Sequence, residues 1–224
     1  PVADIRIDGA GKKVTRSDNC RVSDLSVSSD NLTFTYEAKS LPYPIDTSYY
    51  DNEKHTQADA LSVIPFMDEM NYEGLSVSGL SDGYYGLTIG GEFIGRFTAR
   101  ELERGINMAL LQNTPQYKQA MKIRQMNEER WLKERKMREF YWVEYNLMRK
   151  TGMLWACNEA AVDTLRKYRP HDIFLQWNGA LWLQYMHKGI REDCVNEQQD
   201  LVNQIYEQNK PIPLQIEIKK FTDL

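Results

Sequence analysis

The stretch at residues 84–98 reads YYGLTIGGEFIGRFT, and it decides how the first half of the chain folds. Tyr84–Ile89 and Glu92–Phe97 carry aromatic and β-branched residues, and Gly90-Gly91 separates them. Two adjacent glycines can both adopt positive φ, which a two-residue turn needs if its twist is to match that of its strands. The stretch therefore predicts a tight β-hairpin.

Strand patterns extend upstream from this hairpin to the start of the chain. Leu32, Phe34 and Tyr36 alternate with threonines, which is the period-2 pattern of a half-buried strand. Shorter runs of the same kind surround Ile5 and Val22, and turn residues separate them. Many short strands with closely spaced turns are typical of an antiparallel β-sandwich. We predict such a domain over residues 1–97, interrupted by a proline-containing loop at Leu41–Asp59.

Downstream of the hairpin the apolar period changes to that of a helix. Thr98 and Glu101 form a capping-box pattern, and the apolar residues after them recur at helical spacing: Leu102, Ile106, Ala109 and Leu110. Pro115 begins a long helical stretch that extends to Lys150. Three further helices are predicted at Glu159–Tyr168, Ile173–His187 and Ile190–Gln208. Asn178-Gly179 is a point at which the second of them could be broken.

These patterns together predict an α+β protein. We expect an N-terminal antiparallel β-sandwich followed by a helical bundle with one long helix, the helical domain covering residues 98–213. Leu214, Ile216 and Ile218 alternate again and predict a closing strand, residues 214–218, that rejoins the sheet.

Composition excludes several classes of protein. The 224 residues are 42% apolar and 27% charged, with a net charge of −4, which is typical of globular proteins and not of disordered chains. The sequence contains no apolar run of about 18 residues, so we expect no membrane span.

Residues 118–138 hold 8 basic and 3 acidic side chains. Without interleaved glycines or aromatic platforms, this run predicts a solvated or docking helix face, and no nucleic-acid partner.

The chemistry-bearing residues are scattered. Cys157 and Cys194 fall in predicted helical stretches and are expected to be buried thiols; Cys20 is far from both, and no C-x-x-C occurs. Neither G-x-S-x-G nor H-E-x-x-H is present. We therefore expect no metal site and no cofactor, and we assign no catalytic residue.

Trp177 and Trp182 are the candidate ligand-binding residues. Both lie in the predicted helix Ile173–His187, and indole rings can stack on sugars or on a protein partner. Tryptophans at helical spacing are also common in cores, so burial of the rings is the competing interpretation.

A family resemblance covers nearly the whole chain. Its central part is the run GLTIGGEFIGRFTARELERGINMALL at residues 86–111, followed by NTPQY at 113–117. This run resembles the C-terminal region of certain bacterial SGNH/GDSL-type hydrolases, the lipase- and acylhydrolase-like enzymes. The family's catalytic blocks, Gly-Asp-Ser and Asp-x-x-His, do not occur here, since Asn52, Tyr168 and Gln184 stand three residues before the histidines.

The resemblance implies a non-catalytic accessory region that packs on or caps an upstream catalytic domain of the same polypeptide. The parent enzyme would cleave an acyl ester, on a carbohydrate, through an acyl-serine intermediate. It would lie outside the cytoplasm, in the periplasm or secreted. Two alternatives remain open: a stand-alone module that binds a glycan or a protein, and a free-standing enzyme that uses dispersed carboxylates.

Overall fold

The computed structural model describes residues 1–46 and 56–221, and it divides the chain into two compact units. The β unit comprises Pro1–Arg124 and Gln208–Leu224, and the helical unit comprises Gln125–Glu207. The predicted loop Leu41–Asp59 lies partly outside the described residues, at 47–55. The sequence-based boundary at residue 98 falls where a strand passes into a helix inside the β unit. The α+β class is confirmed.

The first sheet of the β unit has four strands in the order β2-β1-β5-β8. These are β1 (Ala3–Asp8), β2 (Lys13–Asp18), β5 (Glu73–Ser78) and β8 (Ile106–Asn107). The prediction of an all-antiparallel arrangement is wrong at one pair, because β1 and β5 are parallel. The chain between β1 and β5 passes through two strands of the other sheet before it re-enters the first sheet in the direction of β1. The spacing of apolar residues in the sequence does not reveal the direction in which a strand pairs.

The second sheet has five antiparallel strands in the order β3-β4-β9-β6-β7. These are β3 (Cys20–Val27), β4 (Asn31–Ala38), β6 (Tyr84–Ile89), β7 (Glu92–Thr98) and β9 (Leu214–Lys220). The predicted closing strand is confirmed, and as β9 it occupies the centre of this sheet. Side chains from both sheets form one hydrophobic core; its fully buried members include Ile5, Phe34, Leu75, Leu87 and Ile216.

The predicted glycine hairpin joins β6 to β7. Gly90 and Gly91 have φ values of 59° and 83°, so both central turn positions are left-handed, as a turn of this twist requires. The capping box is also confirmed: Thr98 Oγ1 accepts from the backbone N–H of Glu101 at 3.2 Å, and Glu101 Oε2 accepts from that of Thr98 at 2.7 Å. The hairpin thus passes directly into helix α3 (Ala99–Arg104).

The helical stripe predicted through Leu110 is wrong beyond Arg104. Gly105 has a φ of 95° and ends α3, and Ile106–Asn107 then pairs with β5 as strand β8. A 3₁₀ turn, Met108–Leu110, follows. Glycine favours this exit because only glycine reaches such a φ without steric cost. Two short helices, α1 (Gln57–Ala60) and α2 (Phe66–Glu69), complete the β unit.

The long helix is shorter than predicted. Helix α4 runs from Pro115 to Val143, and Glu144–Met148 then forms a π-helical turn. Helices α5 (Glu159–Tyr168), α6 (Ile173–Tyr185) and α7 (Lys188–Gln208) follow as predicted, and α6 continues without a break at Gly179. No helix among the described residues has the length and apolar character needed to cross a membrane.

A buried carboxylate lies in the β unit. Glu73 has no solvent exposure and accepts a hydrogen bond from Tyr36 Oη at 2.8 Å. The Gln116 side-chain amide donates to the two Glu73 oxygens at 3.3 and 3.4 Å. These two hydrogen bonds favour the ionised form of Glu73, but the desolvation that comes with full burial outweighs them. Burial therefore raises the pKa of Glu73 from 4.5 to about 7.

We predict that Glu73→Gln removes a pH dependence from the stability of the protein. Between pH 4.5 and 7 the folded wild type keeps a proton that the unfolded chain has lost, so its free energy of unfolding falls as pH rises. The fall is at most about 3.5 kcal/mol, since the two pKa values differ by about 2.5 units and each unit is worth about 1.4 kcal/mol. Urea denaturation at several pH values measures it.

The matched control for this experiment is Glu103→Gln, at an exposed position of α3. Its pH profile should parallel that of the wild type. If Glu73→Gln also gives a parallel profile, Glu73 does not hold the extra proton.

Candidate functional site

The helical unit is organised around a second buried carboxylate, Glu144, in the π-helical turn. Its side chain is only 1% exposed. Oε1 accepts from the indole Nε1 of Trp182 at 2.8 Å, and Oε2 accepts from the backbone N–H of Trp155 at 2.8 Å. The two bonds thus join the end of the long helix to α6 and to the loop before α5.

Trp155 needs this bond because its backbone is strained. Its φ of 62° is left-handed, which is uncommon for a residue with a large side chain. The ring packs edge-on against Tyr141 and Tyr145, with centroids 6.0 and 5.8 Å away. Both the hydrogen bond and these ring contacts offset the cost of the strained conformation.

The structure separates the two tryptophans that the sequence proposed as ligand-binding residues. Trp182 is fully buried, whereas Trp177 is 66% exposed. In this conformation a ligand cannot reach the Trp182 ring, so Trp182 is corrected from a binding anchor to a core residue. Trp177 stays a prediction. Helical spacing places Leu175, Gly179 and Trp182 on one face of α6 and Trp177 on another. Both faces are apolar, so only the fold shows that the face of Trp182 is the buried one.

Trp177 belongs to a continuous group of rings on the surface of the helical unit. The Phe174 ring lies 5.3 Å from the Trp142 ring and 5.6 Å from the Trp177 ring, centroid to centroid. Phe174 is 49% exposed, and its neighbour Ile173 is exposed as well. We call Trp142, Phe174 and Trp177 the aromatic surface. Rings exposed in a contiguous patch are typical of a binding site rather than of solvated helix faces.

A cleft of about 360 Å³ adjoins the aromatic surface. Trp142 lines it together with Lys150, Thr151, Tyr168, His171 and Asp172. Two polar groups of the cleft have structural roles. Asp172 Oδ1 accepts from the backbone N–H groups of Phe174 and Leu175 at 2.8 and 3.2 Å as the cap of α6. Thr151 Oγ1 donates to the carbonyl oxygens of Leu147 and Met148.

The cysteines differ from expectation at one position. Cys157 is exposed in the loop before α5, not buried in a helix, and its Sγ lies 3.3 Å from His187 Nδ1. Because its side chain is exposed, Cys157 is the thiol that reagents can reach. Cys20 and Cys194 are buried, and burial raises the pKa of Cys20 to about 11. All three cysteines are free.

Comparison with known proteins places these features in context. Residues 121–210 match a family model described as the C-terminal helical domain of diltiazem deacetylase. The chain also matches a solved structure described as a gut microbial diltiazem-metabolizing enzyme, with 34% identity and a TM-score of 0.90. The match covers 98% of this chain and 50% of that one, so the chain spans about half the length of the enzyme it resembles. No curated protein matches the chain.

We predict that Trp182→Phe and Trp177→Phe, which are the same chemical change, differ in their effect on stability. Trp182→Phe removes the N–H that Glu144 Oε1 accepts and leaves a buried carboxylate oxygen unpaired, which costs about 1–3 kcal/mol. Trp177→Phe is the matched control and changes the free energy of unfolding by less than about 0.5 kcal/mol, because its ring is exposed. Chemical denaturation measures both; equal losses would contradict the role assigned to Glu144.

Proposed function

We propose that this chain is the non-catalytic accessory region of an acyl-ester hydrolase. It would pack on, or cap, a catalytic domain of the same polypeptide. The observation that carries the proposal is the match along 98% of this chain to half of a diltiazem-metabolizing enzyme. The family model for the helical residues is itself described as a C-terminal domain of a deacetylase, an enzyme that removes acetyl groups.

The side chains of the chain support a division of labour. An acyl-serine mechanism needs a serine nucleophile, a base beside it and donors for the oxyanion. Among the described residues, a histidine ring contacts a possible nucleophile at His187, whose partner is the Cys157 thiol and not a serine hydroxyl. The structure supports binding and packing here, and we assign the ester chemistry to the remainder of the enzyme.

The finer parts of the proposal rest on the resemblance of residues 86–117 to the SGNH/GDSL-type hydrolases. These finer parts are three: the parent enzyme is a serine esterase, its ester substrate is carried on a carbohydrate, and it lies in the periplasm or is secreted. The deacetylase description of the family model favours a small acyl group as the one that is removed.

We assign the docking role to the aromatic surface. Phe174 and Trp177 project from the outer face of α6, and Trp142 supports them from the end of α4. Covering the exposed half of Phe174 and the exposed two-thirds of Trp177 contributes about 1–2 kcal/mol each, since full burial of such a side chain is worth about 1.5–3 kcal/mol. A catalytic domain seated on this patch would cover the apolar area and close the adjoining cleft.

The second candidate is a stand-alone module that binds a carbohydrate or a protein. The observation that favours it is the exposure of Trp177 beside a polar cleft, an arrangement that also suits stacking on a sugar ring. Under this alternative, Trp177 would serve a ligand rather than a neighbouring domain.

We predict that the double variant Phe174→Ala/Trp177→Ala weakens the longer polypeptide but not the isolated chain. In the isolated chain both side chains are exposed, so the melting temperature should change by less than about 2 °C. In the polypeptide that includes the catalytic domain, loss of a docked aromatic pair should lower the melting temperature and reduce kcat/KM for p-nitrophenyl acetate about tenfold.

Tyr206→Ala is the matched control, since it removes an exposed ring on α7. It should leave both proteins unchanged. Unaltered melting and activity in the double variant of the longer polypeptide would show that the aromatic surface is not the docking site. Loss of oligosaccharide binding by the isolated double variant would instead support the stand-alone module.

A further inference from the structure

The β unit carries its own cleft, on the outer face of the second sheet. The cleft has a volume of about 320 Å³, which is at the lower end of the range of about 300–1,000 Å³ for small-molecule sites. Its lining includes Gly86, Phe93, Glu217, Lys219, Lys220 and Phe221. The volume suits one or two sugar-sized rings rather than a protein segment.

Two rings form an apolar wall of the cleft. Phe93 on β7 and Phe221 just after β9 are both exposed, with centroids 6.5 Å apart and ring planes at 78°. They lie over Gly86, where an added Cβ would be 3.2 Å from Phe93 and 3.3 Å from Phe221. The missing side chain at Gly86 therefore lets the rings lie close to the sheet, with their outer surfaces open to solvent.

The charges of the cleft come from the outward residues of β9. Ile216 and Ile218 are buried, so the alternation of the strand directs Glu217 and Lys219 to the outer face. Arg96 stacks on the Tyr84 ring at 3.8 Å and lies 5.2 Å from the centroid of Phe221. Lys220 Nζ donates to Ser81 Oγ at 2.7 Å. Two cationic side chains of the outer face, Arg96 and Lys219, outnumber its one carboxylate and favour an anionic ligand.

The single carboxylate adds an acceptor for hydroxyl groups. Glu217 Oε1 accepts from Asn31 Nδ2 at 3.0 Å, which fixes the orientation of the carboxylate across β4 and β9. A carboxylate has two oxygens and about four acceptor sites, so a held carboxylate can also accept from a ligand hydroxyl. A ligand that satisfies the cleft thus combines a ring with apolar C–H faces, hydroxyl groups and a negative charge.

We infer that this cleft binds an acidic sugar, a uronic acid unit of a polysaccharide. The pyranose ring stacks on Phe93 and Phe221, the carboxylate of the sugar pairs with Lys219, and a ring hydroxyl donates to Glu217. The inference goes beyond the proposed function, since it concerns another unit and other residues. It holds whether the chain is an accessory region or a stand-alone module.

The test is a calorimetric titration of the chain with trigalacturonic acid, with neutral galactotriose as the uncharged comparison. The acidic trimer should bind, and its Kd should rise with salt because an ion pair carries part of the affinity. Galactotriose should bind at least about tenfold more weakly, a difference equivalent to about 1.4 kcal/mol.

Two variants assign the binding to this cleft. Phe93→Ala and Lys219→Gln should each raise the Kd for trigalacturonic acid about tenfold, while their exposed positions leave the melting temperature unchanged. The matched controls are Tyr206→Ala and Lys39→Gln, an exposed ring and an exposed lysine elsewhere, which should bind as the wild type does. Absence of binding, equal binding of galactotriose, or an unchanged Kd in both cleft variants would overturn the inference.

Discussion

The helical unit depends on the burial of one carboxylate, Glu144, among apolar side chains. A carboxylate in such surroundings is costly unless donors meet it, and here an indole N–H and a backbone N–H do so at 2.8 Å each. These bonds fix Trp182 in the core and hold Trp155 in a left-handed conformation. Because Trp182 faces inward, the opposite face of α6 directs Phe174 and Trp177 outward. The aromatic surface thus lies on the side of α6 that is turned away from the hydrogen bonds of Glu144.

The β unit also buries a carboxyl group. Glu73 accepts hydrogen bonds from a tyrosine hydroxyl and a glutamine amide, and the desolvation that comes with burial raises its pKa to about 7. It lies in β5, and its contacts with Tyr36 of β4 and Gln116 of α4 link the two sheets to the start of the long helix. The outer face of the second sheet is free of this constraint. There, an absent side chain at Gly86 and the alternation of β9 shape a cleft that combines rings with cations.

Local signals in the sequence predicted the elements well where the cause of a structure is local. Residues close together in sequence were enough to specify three elements. These are the turn at the glycine pair 90–91, the helix start at the Thr98 capping box and the strand at 214–218. The parallel pairing of β1 with β5, the exit of the chain at Gly105 and the burial of Trp182 depend on distant partners. Of the three members of the aromatic surface, the sequence singled out only Trp177. Its other members, Trp142 and Phe174, lie 32 residues apart in sequence, so only the fold brings them together.

The central claim is that the ester chemistry lies outside this chain. The most direct test compares hydrolysis of p-nitrophenyl acetate by the isolated 224-residue chain and by the polypeptide that includes the proposed catalytic domain. The account predicts turnover by the longer protein and only background hydrolysis by the isolated chain. Enzyme-like turnover by the isolated chain would contradict it. Loss of that turnover in Cys157→Ser would then identify the exposed thiol beside His187 as the nucleophile.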